Sequence, residues 1–170
     1  AVYPVEPIIR HGAAVRVEKQ PDATALLEET VHTIRKWQQD GYETIAVICR
    51  EEKEAAELAE QLKSYMEIVD CNPGTTEFGD GVMVLSVVYT KGLEFDAVLL
   101  YDPTQKKYPA DNGHVKLLYV AATRALHELV VLYHGNLSRI LTDPVSKEKK
   151  QKVFASETLT KAKEYEKKTF

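Results

Sequence analysis

The stretch Lys91-Gly92-Leu93-Glu94-Phe95-Asp96 decides how this chain is read, together with Tyr119-Val120-Ala121-Ala122-Thr123-Arg124-Ala125 downstream. The first places a cation, a glycine and two acids between two apolar runs, Val82 to Val88 and Ala97 to Leu100. A polar hinge between such runs reads as the connection of two buried strands, and α/β sheets carry their chemistry at strand ends. The second is a small-residue run, read as a helix, with an arginine at its far end.

Outward from the hinge, the chain alternates between period-2 and period-3.6 patterns. Ala14 to Lys19 is a short strand through Val15 and Val17, and Asp22 is placed to cap the helix that follows. Leu27, Val31, Ile34 and Trp37 fall at helical spacing, and Gly41 supplies a stop. Thr44 to Cys49 is a continuous β-rich run, the pattern of a strand covered on both faces. A helix spans about Glu51 to Tyr65, its Ala55, Leu58, Ala59 and Leu62 forming one stripe. Met66 to Val69 reads as a short strand before Asn72-Pro73-Gly74 and a polar loop ending at Gly79-Asp80-Gly81. Val82 to Val88 and Ala97 to Tyr101 are the next strands, Val115 to Arg124 a buried helix capped by Asp111 or Asn112, and Glu128 to Tyr133 a last strand. Strands alternating with helices over this length predict an α/β fold with a mostly parallel sheet flanked by helices.

Two regions fall outside that pattern. Ala1 to Gly12 holds no periodicity and reads as an irregular lead-in. From Pro144 to Phe170 the chain carries eight lysines against four glutamates, read as a solvated helix or tail. The expected organisation is therefore one lobe over residues 1–143 and a Lys-rich segment over 144–170.

Composition narrows the class. The 170 residues are 44% hydrophobic with a formal net charge of −4, which fits a globular domain and gives no global basic signature of nucleic-acid binding. Cys49 and Cys71 have no metal-ligand spacing and read as thiols of a reducing, cytoplasmic compartment. No run approaches the roughly 18 apolar residues of a membrane span. The first residue is Ala1, and the chain reads as a piece of a longer protein.

Open parallel sheets bind ligands beyond the carboxyl ends of their strands, and three groups are expected at or near such ends: Arg50 after Cys49, the segment Ser86 to Glu94, and Arg124 before the last strand. Two arginines suit an anionic ligand, because the planar guanidinium fork matches phosphate oxygens. Each residue also has an ordinary role open to it. Arg50 can pair with Glu54 one helical turn on, and Arg124 can complement a helix C-terminus. Gly92 can be a turn glycine, Glu94 a solvated turn residue and Lys91 a plain loop lysine.

Taken together, the segments resemble a known set. Gly81 to Asp96, with its Thr90-Lys91-Gly92-Leu93-Glu94-Phe95 string, resembles motif V of superfamily 1 helicases of the UvrD/PcrA/Rep type. Leu117 to Ala125 resembles their motif VI, and Ala46-Val47-Ile48-Cys49-Arg50 followed by a helix resembles motif IV. The resemblance covers about Thr44 to Tyr133 and implies the C-terminal RecA-like lobe of a P-loop NTPase-type motor. It implies that Arg124 is the arginine finger on the γ-phosphate and Arg50 a second γ-phosphate contact. Gly92 and Glu94 would approach the nucleotide, Glu94 at the ribose, while Ser86, Tyr89 and Thr90 would line a single-strand track. ATP with Mg²⁺ is the implied cofactor, the metal held by an N-terminal lobe. Single-stranded DNA and that lobe are the implied partners.

Departures from the pattern point to a branch. UvrD-type motif V has Thr-x-His ahead of its Lys-Gly-Leu-Glu-Phe string, whereas this chain has Ser86 and Val88. That variant, with Ala125-Leu126-His127-Glu128-Leu129 and Tyr133-His134-Gly135, is similar to the HelD, helicase IV-like branch, which implies RNA polymerase as an alternative partner and release from nucleic acid as an alternative activity. No G-x-x-x-x-G-K-[ST] loop and no Asp-Glu pair at a strand end occurs, so the expectation is no ATP turnover by this chain alone. A stand-alone small-molecule α/β enzyme is the third reading, and the sequence offers it neither a glycine-rich βα turn nor a catalytic dyad.

Overall fold

A computed structural model describes residues 13–70 and 79–142. The lead-in, the loop holding Cys71 and Asn72-Pro73-Gly74, and the Lys-rich segment lie outside the described residues. The elements in chain order are β1 (Ala14–Lys19), α1 (Ala23–Gln39), β2 (Thr44–Cys49), α2 (Glu52–Leu62), β3 (Gly81–Ser86), a 3₁₀ turn (Val87–Tyr89), β4 (Phe95–Tyr101), α3 (Asn112–Thr123) and β5 (Ala125–Tyr133).

The five strands form one sheet in the order β1-β5-β4-β2-β3. Every ladder in it is parallel, as the run of buried apolar strands predicts. Two cores cover its faces. On one face Leu26, Ile34 and Trp37 of α1 and Leu58 and Leu62 of α2 pack on Ile45, Val47, Ala97 and Leu99. On the other, Val115, Leu118, Tyr119 and Ala122 of α3 pack on Ile48, Leu85, Val98, Leu100 and Val131. Fully burying one such aliphatic side chain stabilises by about 1.5–3 kcal/mol.

The connections alternate faces in step with direction. From β1 to β2 to β3 the chain moves one way along the sheet through α1 and α2. From β3 to β4 to β5 it moves back, through the 3₁₀ turn and α3 on the opposite face. Reversing direction and face together gives every crossover the same hand, as parallel sheets require. The neighbours β2 and β4 thus send their following segments to opposite faces, which makes the gap between their carboxyl ends the switch point of the sheet.

Local chemistry sets the element ends. The Asp22 carboxylate accepts from the Ala25 amide at 2.8 Å, and Gly41 with φ of +90° closes α1 in the left-handed region. Asp111, of the two capping candidates, accepts from the His114 amide at 2.9 Å. Cys49 is fully buried, and burial pushes its thiol well above the ordinary range.

Several expected boundaries move. β3 stops at Ser86 rather than Val88, because the Ser86 hydroxyl accepts from the Val88 amide at 3.3 Å and starts the 3₁₀ turn. β4 begins two residues early at Phe95, and β5 begins at Ala125 rather than Glu128. α2 ends at Leu62, three residues before Tyr65, and α3 starts at Asn112 rather than Val115. Met66 to Val69 is not a strand: the Val69 amide donates to the Val82 carbonyl at 2.8 Å, but no ladder follows. Among the described residues, no helix is long and apolar enough to cross a membrane.

Candidate functional site

The parallel registers put the predicted residues at two ends of the sheet, not one. β4 and β5 start side by side, with Phe95 paired to Ala125. Gly92 and Glu94 therefore stand just before β4, and Arg124 just before β5, at the amino ends of these strands. Arg50 follows Cys49 at the carboxyl end of β2, and Ser86 closes β3 beside it in the pair Cys49 with Ser86. Eight strand residues, on the order of 25 Å, separate the level of Glu94 from that of Asp102 beside Arg50. Arg50 and Arg124 cannot close that distance on one phosphate. The expectation of a shared γ-phosphate site for the two arginines is corrected by the strand direction, as is the placing of Arg124 and Glu94 at carboxyl ends.

At the amino end, α3 delivers its last turn to the hinge. The Phe95 amide donates to the Arg124 carbonyl at 2.9 Å, which joins the two sequence strings through the backbone. The Arg124 Nε donates to the Val120 carbonyl and its Nη2 to the Thr123 hydroxyl, both at 3.0 Å, so the guanidinium lies along the end of its own helix. Glu94 is exposed, and Gly92 takes φ of +77° with no heavy atom within 4 Å of where a Cβ would sit. That left-handed turn and the open space beside it let a ligand approach the backbone closely.

Beneath the hinge, Asp96 locks β4 to β2. Its carboxylate accepts from the Glu43 amide at 2.9 Å and the Thr44 amide at 3.1 Å, and its own amide donates to the Thr44 hydroxyl at 2.8 Å. Burial alone would raise this carboxyl, but the hydrogen bonds from residues 43 and 44 outweigh it and hold Asp96 below the usual aspartate range. Next to it Glu128 accepts from the Trp37 indole at 2.6 Å and the Tyr42 hydroxyl at 3.1 Å, and Tyr42 stacks on His127 with ring centroids 5.7 Å apart.

The carboxyl end is organised by charge. Lys107 bridges Glu54 of α2 and Asp102 at the end of β4. Asp102 is a non-glycine residue in the left-handed region, φ +51°, and its other oxygen accepts from the His134 amide at 3.1 Å. The anticipated side-chain pairing of Arg50 with Glu54 does not form; Glu54 accepts instead from the Arg50 amide at 3.1 Å. The Arg50 side chain, 22% exposed, reaches Glu51 at 3.5 Å and lies 6.0 Å from the centre of the Tyr108 ring. Its Nε and the Tyr108 hydroxyl are buried without a hydrogen-bond partner among the described residues.

The three candidate track residues part company here. Ser86 and Thr90 are buried, the first capping the 3₁₀ turn and the second donating to the Val87 carbonyl at 2.7 Å. Both hydroxyls engage the turn beneath the surface, so among the three the structure leaves Tyr89 as the exposed group. Tyr89 stays at the surface, 45% exposed, its hydroxyl 3.3 Å from Glu52, and the neighbouring Val88 is 54% exposed. Sequence reading assigned no role to Asp96, Glu128, Thr123 or the Asp102–Lys107 pair. Asp96 and Thr123 carried a signal in their places within the two quoted strings.

Residues 81–132 match the family model of the UvrD-like helicase C-terminal domain. Among solved structures the chain is similar, with a TM-score of 0.71 and 25% identity, to the C-terminal domain of a "possible DNA helicase" from Lactobacillus plantarum WCFS1, over 86% of this chain and 96% of that one. It shares its fold, with a TM-score of 0.51 and 13% identity, with domain 2 of the DEAD-box helicase Mss116p bound to an RNA duplex, over 86% of this chain and 69% of that one. No curated protein matches the sequence.

Proposed function

We propose that this chain, which carries a UvrD-like helicase C-terminal domain over residues 81–132 and has the RecA-like helicase C-terminal fold, is the second motor lobe of an ATP-dependent superfamily 1 helicase or translocase. The observation that carries the reading is the backbone bond from Phe95 to Arg124. It sets Glu94, Gly92 and an arginine side by side at the amino ends of two central strands.

The residues there fit a nucleotide. Arg124 supplies a guanidinium edge for γ-phosphate oxygens, Gly92 leaves room for close approach, and Glu94 presents an exposed carboxylate able to accept from a ribose hydroxyl. ATP with Mg²⁺, when bound, would supply the phosphoryl group whose transfer to water drives the motor, and an N-terminal lobe would hold the metal. The chain's own part is to present positive charge where charge develops and to orient the sugar.

The opposite end serves the nucleic acid. Tyr89 offers an aromatic face to a single-strand base, and Arg50, at the same end, suits a backbone phosphate better than the nucleotide. The exposed Val88, an apolar group where UvrD-type proteins carry a histidine, supports a second reading as a HelD-type module that binds RNA polymerase and frees it from nucleic acid.

The test assembles the full-length protein containing this lobe and measures ATP turnover with and without single-stranded DNA. Turnover that requires both lobes and is stimulated by DNA supports the motor reading. Magnesium-dependent turnover by the 170-residue chain alone would refute it. A strand-unwinding assay beside an RNA polymerase pull-down separates the two activities.

A further inference from the structure

The structure assigns Thr123 as the positioning residue for Arg124, an inference that rests on the motor reading and deepens it. The Thr123 hydroxyl lies 2.9 Å from the Tyr119 carbonyl and 3.0 Å from the Val120 carbonyl, the i−4 and i−3 oxygens of its own helix. Threonine in a helix readily makes such bonds to the preceding turn. A hydroxyl has one hydrogen, and here it is committed to those carbonyls. Toward any further neighbour Thr123 can therefore only accept.

That neighbour is the Arg124 Nη2, 3.0 Å away, while the Arg124 Nε donates to the same Val120 carbonyl at 3.0 Å. A guanidinium is a pure donor, so the polarities match in one way only. The Nε/Nη2 edge of the planar group is held at two points, and a planar fork held along one edge has its opposite edge set in direction. The anchoring carbonyl belongs to the last turn of α3, whose Val120, Ala121 and Ala122 are buried. The clasp is thus fixed to the core and not to a mobile loop. Its function is to aim the finger before the nucleotide arrives, which removes ordering that would otherwise occur during the reaction.

Thr123→Val keeps the shape and β-branching and deletes the hydroxyl; Thr123→Ser keeps the hydroxyl. In the full-length motor, Thr123→Val is expected to lower kcat on the order of 10²-fold with the KM for ATP within about threefold of wild type, and Thr123→Ser to restore most of the rate. Arg124→Ala runs beside them. A dead Arg124→Ala with Thr123→Val at the wild-type rate overturns the clasp and leaves the motor reading standing. A wild-type rate in Arg124→Ala overturns the finger and the clasp with it.

A second measurement does not depend on turnover. In the 170-residue chain, ¹⁵N NMR of the Arg124 side chain is expected to show a slowly exchanging Nε–H in wild type and Thr123→Ser and a faster one in Thr123→Val. Equal exchange in all three, with unchanged thermal stability, overturns the clasp.

Discussion

The Phe95 amide and the Arg124 carbonyl oxygen are joined at 2.9 Å, directly below the first register pair of β4 and β5. The spacing between the Glu94 turn and the arginine is therefore a property of sheet backbone. Side-chain changes in either string should leave it intact, so that losses of function can be read as losses of the groups themselves.

Arg124 and Arg50 should separate cleanly in the assembled motor. Arg124→Ala is expected to lower kcat by about 10³ to 10⁵, the range found for arginine fingers, with nucleotide binding largely kept. Arg50→Ala is expected to leave basal turnover within a few-fold, and to weaken single-strand binding with a salt slope reduced by about 1. Steady-state ATPase assays and fluorescence anisotropy at several salt concentrations measure both. Equal damage to turnover from the two variants would contradict the two-ended arrangement.

Tyr89 is the aromatic group exposed beside the 3₁₀ turn. Tyr89→Ala should weaken single-strand binding by about 1–3 kcal/mol, the usual worth of one stacked base, and Tyr89→Phe should retain it. A Phe variant as weak as Ala would assign the effect to the hydroxyl contact with Glu52 instead.

Asp96 makes stability pH-dependent. Its carboxyl is held below its unfolded value, so its contribution is present above the unfolded pKa and is lost as pH falls through the lower folded one. Wild-type domain should therefore lose urea resistance on acidification below about pH 4, and Asp96→Asn should start less stable and show a flatter acid limb. Urea midpoints between pH 3 and 7, followed by Trp37 fluorescence, decide it; parallel acid limbs would assign the loss to other carboxylates.

Glu128 is the shared acceptor for the Trp37 indole and the Tyr42 hydroxyl. Glu128→Ala strands the donor of a 2%-exposed tryptophan and should cost about 2–3 kcal/mol, or roughly 5–10 °C in Tm for a domain of this size. Differential scanning calorimetry measures the shift, and a change under 1 °C would mean that water replaces the carboxylate.

Much of the fold was legible because the strands are apolar on both faces and the helices carry single stripes, as in Thr44 to Cys49 and Ala55-Leu58-Leu62. Caps at Asp22 and Asp111 were equally legible, since their chemistry is local. Which end of a strand a residue adjoins follows from chain order. Arg50 follows its strand and Arg124 precedes its own, so the parallel order, which the strand–helix alternation predicts and the registers show, sets them at opposite ends. What a string of letters does not show is where a hydroxyl is spent. Ser86 and Thr90 look like presented polar groups until the fold buries both at the 3₁₀ turn.

The segment between Ser86 and Phe95 crosses the height of the sheet and passes over β2. From the registers its ends stand about 22 Å apart, counting six residues of rise and two strand spacings. Three of its nine steps are wound into a 3₁₀ turn rising about 2 Å each, three more close the turn from Thr90 to Leu93 over less than about 7 Å, and the last three reach at most about 3.3 Å each, near 23 Å in all. That leaves almost no slack. The link behaves as a short tether, not as a loop: displacement of Phe95 at one pole has to be passed through Gly92 to the turn bearing Tyr89. One inserted glycine beside Gly92 would add about 3 Å of slack where almost none exists.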